Sequence, residues 1–195
     1  MEWLHINIAM VIFVVETPLV VGTAPHHPIL RLCAISVAAA SYYLGFLFIL
    51  TSILTSMRRP LPFNMSSVPK GSPWRPALHG IVEDWGAVEM GGKKPFRASL
   101  LRRYEASSMF RRMLQVLSWC WGIGFLLTAI GTTVAVALLD EGPLFGVGWG
   151  LPFVCWGIMA VITRPFVRRS MRQEQEMWRK DSRPESFEVQ RTNGS

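Results

Sequence analysis

Four long apolar stretches divide the chain, and polar and charged residues are swept into the segments between them. The first runs from Trp3 to Val21, interrupted by His5, Asn7, Glu16, Thr17 and Pro18. The second covers 29–57, the third 114–139 and the fourth 144–163, where Arg164-Pro165 ends it. Each is long enough to cross a hydrocarbon core of about 30 Å at about 1.5 Å per residue. A signal peptide is the rival reading of the first stretch, and it is disfavoured because Glu2, not a Lys or Arg, precedes the run. The pattern predicts an all-α fold: a four-helix transmembrane protein made of two hairpins, closed by short turns at 22–28 and 140–143. Residues 1–175 form a single integral membrane domain in this reading. Residues 176–195 form a polar tail whose composition suggests disorder beyond a short helical continuation.

The connection 58–113 is too patterned to be a plain linker. It opens with prolines 60, 62, 69, 73 and 76, which bar a helix and predict an extended path. Then Trp74, Ala77, Leu78, Ile81, Val82, Trp85 and Val88 recur at intervals of three and four, one apolar helix face. Arg75, His79, Glu83, Asp84 and Glu89 occupy the other face, and Gly91-Gly92 ends the helix. A second amphipathic helix is predicted after Pro95, continuous with the third span. Leu100, Leu101, Tyr104, Phe110, Met113 and Leu114 are its apolar residues, and Arg102, Arg103, Arg111 and Arg112 its basic flank.

Charge orients this arrangement. Of the 20 Lys and Arg residues, only Arg31 falls outside the two stretches 58–112 and 164–191. Cytoplasmic loops carry the excess of Lys and Arg, so the linker helices and both termini are expected on the cytoplasmic side. The Asn64 and Asn193 glycosylation triplets would then face the wrong compartment for use. Charged residues make up 17% of the chain, below the roughly 25% usual in soluble domains. That shifts the reading of the net charge of +7 away from nucleic acid and toward a bilayer with anionic headgroups. An endomembrane such as the endoplasmic reticulum is the expected location. Cys33, Cys120 and Cys155 lie inside apolar runs without CxxC spacing and read as small buried hydrophobes. Gly122, Gly124, Gly131 and Ala135 in the third run, the last two four apart, with Gly146, Gly148, Gly150 and Gly157 in the fourth, predict close packing of those two spans.

Candidate chemistry is sparse. Glu16 is an ionisable residue at membrane depth, where such groups usually face the bundle interior. It is expected to pair with Arg31, near His26, His27, Asp140 and Glu141. In the linker, His79 and Glu83 are four apart and share a helix face. Glu83, Asp84 and Glu89 form an acidic patch for acid–base work or a metal, against the plainer reading that they are solvated. Catalytic candidates are therefore Glu16, Glu83, Asp84 and Glu89. No HExxH, diphosphate-binding aspartate array or cofactor motif is present, so no metal or cofactor is expected.

The segment RPALHGIVEDWGAVEMGGKKPFRASLLRRYEASSMFRRML carries a resemblance across roughly 58–125. Its Arg75-Pro76 step, Ile81-Val82-Glu83-Asp84, Ala87-Val88 and Arg103-Tyr104-Glu105-Ala106-Ser107 resemble small fungal multi-span membrane proteins of unknown function. Some of those accompany gene clusters for specialised metabolites. The resemblance implies a fungal membrane setting and a metabolic pathway, not a reaction. Three classes follow, in order. The first is an accessory or scaffold working with pathway enzymes. The second is a small enzyme acting on a lipophilic substrate such as an isoprenoid. The third is a transporter subunit, disfavoured by the nearly unbroken apolarity of the third and fourth runs.

Overall fold

The computed structural model describes residues 3–64, 68–88 and 93–181, and these form seven helices. They are α1 (Trp3–Thr23), α2 (Leu30–Ala34), α3 (Ser36–Ser56), α4 (Ala77–Val88), α5 (Lys93–Ala106), α6 (Ser108–Leu138) and α7 (Leu144–Asp181). Helices α1, α3, α6 and α7 are long and apolar enough to cross a membrane. α1 packs on α2 and α3, and α6 on α7, as two hairpins. The most extensive interface joins the hairpins through α3 and α6. Those two helices form the centre, while α1 and α7 turn most of their surface outward. Phe13, Phe46, Leu127, Phe153 and Val161 stand exposed along the spans, as side chains facing lipid must.

The second apolar run is not one helix. It breaks at Ile35 into α2 and α3. The carbonyl of Cys33 accepts the Ser36 hydroxyl at 2.9 Å and the Trp149 indole N–H at 3.3 Å. These bonds stabilise the break, and α7 closes against it at Gly148, where an added Cβ would strike the backbone of Ala34. α3 ends in a Schellman motif: Arg58 N–H donates to Thr55 O at 3.1 Å and Arg59 N–H to Leu54 O at 3.2 Å. Arg58 adopts the left-handed conformation this motif demands, with φ of 51°, a place glycine usually fills.

Small residues matter at a further interface besides the one expected. A Cβ on Gly45 would meet Leu126, and one on Gly122 would meet Ile49 and Phe48, so glycine lets α3 approach α6. Between α6 and α7, Gly124 receives Met159, but Gly131, Gly146, Gly150 and Gly157 face open space. The expected packing of α6 on α7 is present, but it runs past Gly124 and not Gly131; spacing alone does not say which side of a helix meets a neighbour.

The proline-rich stretch doubles back instead of running extended. Leu61 N–H donates to Ser72 O at 2.8 Å and Trp74 N–H to Arg59 O at 3.0 Å, around an isolated bridge between Pro60 and Pro73. Leu61 is thereby buried with Trp3, Phe48, Ala77 and Phe125. The helix expected to run from Pro95 into the third span also breaks, at Ser107. Its hydroxyl caps α6 by accepting Phe110 N–H at 3.1 Å. Arg111 donates back to the carbonyls of Tyr104 at 3.0 Å and Glu105 at 2.7 Å, closing the end of α5. α7 continues through Pro165 to Asp181, and the rest of the polar tail lies outside the described residues.

Candidate functional site in the polar layer at the basic end

α4 and α5 pack across the ends of the spans as a cap, touching α1, α3 and α6. α4 is anchored at its start by Ala77 N–H donating to the Thr51 hydroxyl of α3 at 3.1 Å. Gly80 and Gly86 let rings settle onto its backbone: Trp3 of α1 lies over the first and Phe96 of α5 over the second. These contacts fix which way α4 faces, and that way differs from the expected one. His79, Glu83 and Asp84 are 1%, 2% and 0% exposed, whereas Trp85 is 57% exposed. The polar face looks inward. Of the apolar face, Ala77 is buried, Leu78 and Ile81 are half-buried, and Val82 and Trp85 look out. The carboxylates are therefore not solvated. A helix beside a membrane can turn apolar side chains outward without meeting only water, so the usual inside–outside rule loses its force.

The inward face forms a compact network. His79 Nδ1 lies 3.6 Å from Glu83 Oε2, as their four-residue spacing allows. The Tyr104 ring of α5 meets His79 edge-on at 4.8 Å between centroids, and the Arg75 guanidinium lies 5.3 Å from the centre of the same ring. Burial first, and the Arg75 charge second, push the His79 pKa down to about 3. The imidazole is therefore neutral near pH 7, and its contact with Glu83 is not an ion pair. Burial also pushes the Tyr104 hydroxyl up, against the opposing pull of Arg75 and Arg111. Asp84 accepts Leu4 N–H at 2.9 Å through Oδ2 and faces Arg97 of α5 at 3.4 Å through Oδ1. Farther along the cap, both carboxylate oxygens of Glu174 on α7 bind Arg103 of α5, whose guanidinium also covers the Phe110 ring at 4.5 Å.

The sequence candidates thus separate. Glu83 comes together with His79, and Asp84 beside it turns to Leu4 and Arg97; Glu89 lies outside the described residues. Glu16 belongs elsewhere. It shares a helix face with Phe13 and Val20, all three exposed, and so points away from the bundle. It does not pair with Arg31, which donates to the carbonyls of Val136, Ala137 and Leu139 at the end of α6. A cation at the negative end of a helix is the better-placed partner. His26, His27, Asp140 and Glu141 are exposed and make no ion pair with Glu16 among the described residues. Sequence reasoning missed the contacts that Arg97, Tyr104 and Arg103 of α5 make with Asp84 and His79 on α4 and with Glu174 on α7. Tyr104 and Arg103 carried one hint: they sit in the Arg103–Ser107 stretch that bears the resemblance.

Chemically, this network can hold helices together and keep a histidine neutral. His79, Glu83 and Asp84 have almost no surface for a substrate to meet. Among the described residues no three His, Cys, Asp or Glu side chains gather as a metal-ligand set. No curated protein and no solved structure matches the chain. Residues 1–178 match the model of a family described as a domain of unknown function, DUF8766. Because that match spans the bundle and its cap together, the chain belongs to this family.

Proposed function

We propose that this protein is a non-catalytic integral membrane accessory, a scaffold for the enzymes of a metabolic pathway. Its cap and both termini face the cytoplasm, and an endomembrane such as the endoplasmic reticulum holds the spans. The single observation that carries this reading is the sealing of His79, Glu83 and Asp84 inside the cap. Groups that served as acid, base or metal ligand would need access to a substrate, whereas groups that fix the position of helices do not. The basic segments 58–112 and 164–191 support the orientation and a bilayer with anionic headgroups as the immediate partner. The setting in fungal specialised metabolism rests on the resemblance of 58–125 alone.

The test is reconstitution in microsomes with pathway intermediates, with and without the neighbouring pathway enzymes. An accessory raises turnover only when a partner enzyme is present. Turnover by the purified chain alone, abolished in a Glu83→Gln variant that still folds, would overturn the reading. It would favour the second one, a small enzyme for an isoprenoid or other lipophilic substrate. One observation favours that alternative: an apolar cavity of about 180 Å³ between α1, α3 and α4, lined by Trp3, Asn7, Leu44 and Ile81.

A further inference from the structure

A second cavity, of about 550 Å³, opens at the basic end where α3 stops and α6 begins. It is chemically unlike the first. Arg58, Arg111 and Arg112 line it, together with Trp74, Tyr104 and Gln115, and no Asp or Glu does. Among the described residues Arg58 and Arg112 make no ion pair and no side-chain hydrogen bond. Arg111 uses Nη1 to hold the carbonyls that end α5, which fixes its guanidinium at the rim. Gln115 is held by its amide group, which donates to Ser52 O at 2.8 Å and to the Ser56 hydroxyl at 3.2 Å. All three are exposed, so water and salt screen their mutual repulsion, and together they offer an anion a positive rim with no competing carboxylate.

The backbone of Arg58 adds an independent argument. Its φ of 51° is a conformation that glycine adopts freely and a side chain resists. The Schellman motif at the end of α3 needs only the conformation, not the arginine. The strain is accepted at the position whose side chain lines the cavity.

We propose that this cavity binds the phosphate headgroup of a membrane amphiphile, a phosphomonoester or diphosphate carried on an apolar chain. Guanidinium groups suit this ligand because their planar N–H forks match phosphate oxygens two at a time. The level of the cavity selects a membrane source. Its floor is the last turn of α3 and the first turns of α6. Met57, next to Arg58, and Val116, next to Gln115, are exposed apolar residues where a chain would lie. Trp74 and Tyr104 supply the amphipathic rings that favour the headgroup depth. The inference is independent of whether the protein is a scaffold or an enzyme.

The experiment uses the full chain in nanodiscs of phosphatidylcholine with graded phosphatidic acid, read by native mass spectrometry of retained lipid and by Tm. The expected result is selective retention of phosphatidic acid with a rise in Tm. Arg58→Gly relieves the backbone strain, so this variant should fold with an equal or higher basal Tm. It should nevertheless bind phosphatidic acid about fivefold more weakly, and Arg58→Gly/Arg112→Gln about thirtyfold more weakly. Arg172→Gln/Arg179→Gln, on the far part of α7, should leave binding unchanged. Equal retention by the wild type and the Arg58 and Arg112 variants would overturn the site. Displacement of phosphatidic acid by millimolar inorganic pyrophosphate, with pyrophosphate alone giving the full Tm rise, would overturn the lipid source in favour of a soluble phosphate.

Discussion

Asp84 accepts the backbone N–H of Leu4 at 2.9 Å, so a side chain of the linker caps the first turn of the first span. The two residues are 80 positions apart. A helix start leaves N–H groups without partners and carries partial positive charge, and a carboxylate answers both. Asp84→Ala should lower the unfolding free energy by about 2 kcal/mol. Asp84→Asn keeps an acceptor and should lose about 1 kcal/mol. Equilibrium unfolding in mixed micelles measures both; identical losses would assign the effect to the Arg97 contact alone.

Acid should loosen the cap through His79. Its folded pKa, about 3, lies below the ordinary 6.5, so the folded state holds fewer protons than the unfolded one between those values. Stability from this group is fully present above 6.5 and is lost progressively as pH falls from 6.5 toward 3. Arg75, Glu83 and Tyr104 surround the ring and stay in place in a His79→Gln variant. That variant should show a flatter pH dependence of cap unfolding, followed by limited proteolysis of 93–113. An unchanged slope would remove His79 from the account.

The two interface glycines of the central helices should be intolerant where Gly131 is not. Gly122→Val puts methyl groups against Phe48 and Ile49 and should cost about 1–3 kcal/mol. Gly131→Ala meets nothing within 4 Å and should stabilise by about 0.5–1 kcal/mol through backbone entropy. Parallel thermal melts of the two variants test the contrast.

Arg31 and Glu16 should behave independently. Arg31→Ala removes the donor to three carbonyls at the end of α6 and should cost about 1 kcal/mol. Glu16→Gln, on an outward face, should stay within about 0.5 kcal/mol of the parent. The double variant should equal the sum; a coupling above that scatter would restore the ion pair.

Orientation is testable directly. A glycosylation acceptor placed in the 22–28 turn should be modified in microsomes, and one placed at residue 70 should not. The reverse pattern would turn the protein over in the membrane.

The four spans were legible because lipid imposes one requirement on a long stretch of chain, so an average over about 20 residues suffices. The breaks at Ile35 and Ser107 were not, since they depend on single hydrogen bonds: Trp149 to Cys33, and Ser107 to Phe110. The meeting of His79 and Glu83 was legible from their spacing. Their burial was not, because Trp3 and Phe96 decide it from outside α4. Periodicity says which residues share a face. It does not say which of two apolar surroundings, protein or lipid, that face will meet.

The grip of Arg103 on Glu174 has a mechanical consequence. α7 has 38 residues and is therefore about 57 Å long, nearly twice the hydrocarbon thickness. Helices normally answer a thinner or thicker bilayer by changing tilt. A lever of that length, fastened to α5 beyond the membrane and to α2 at Gly148 near its other end, cannot tilt alone. The cap would have to turn with it.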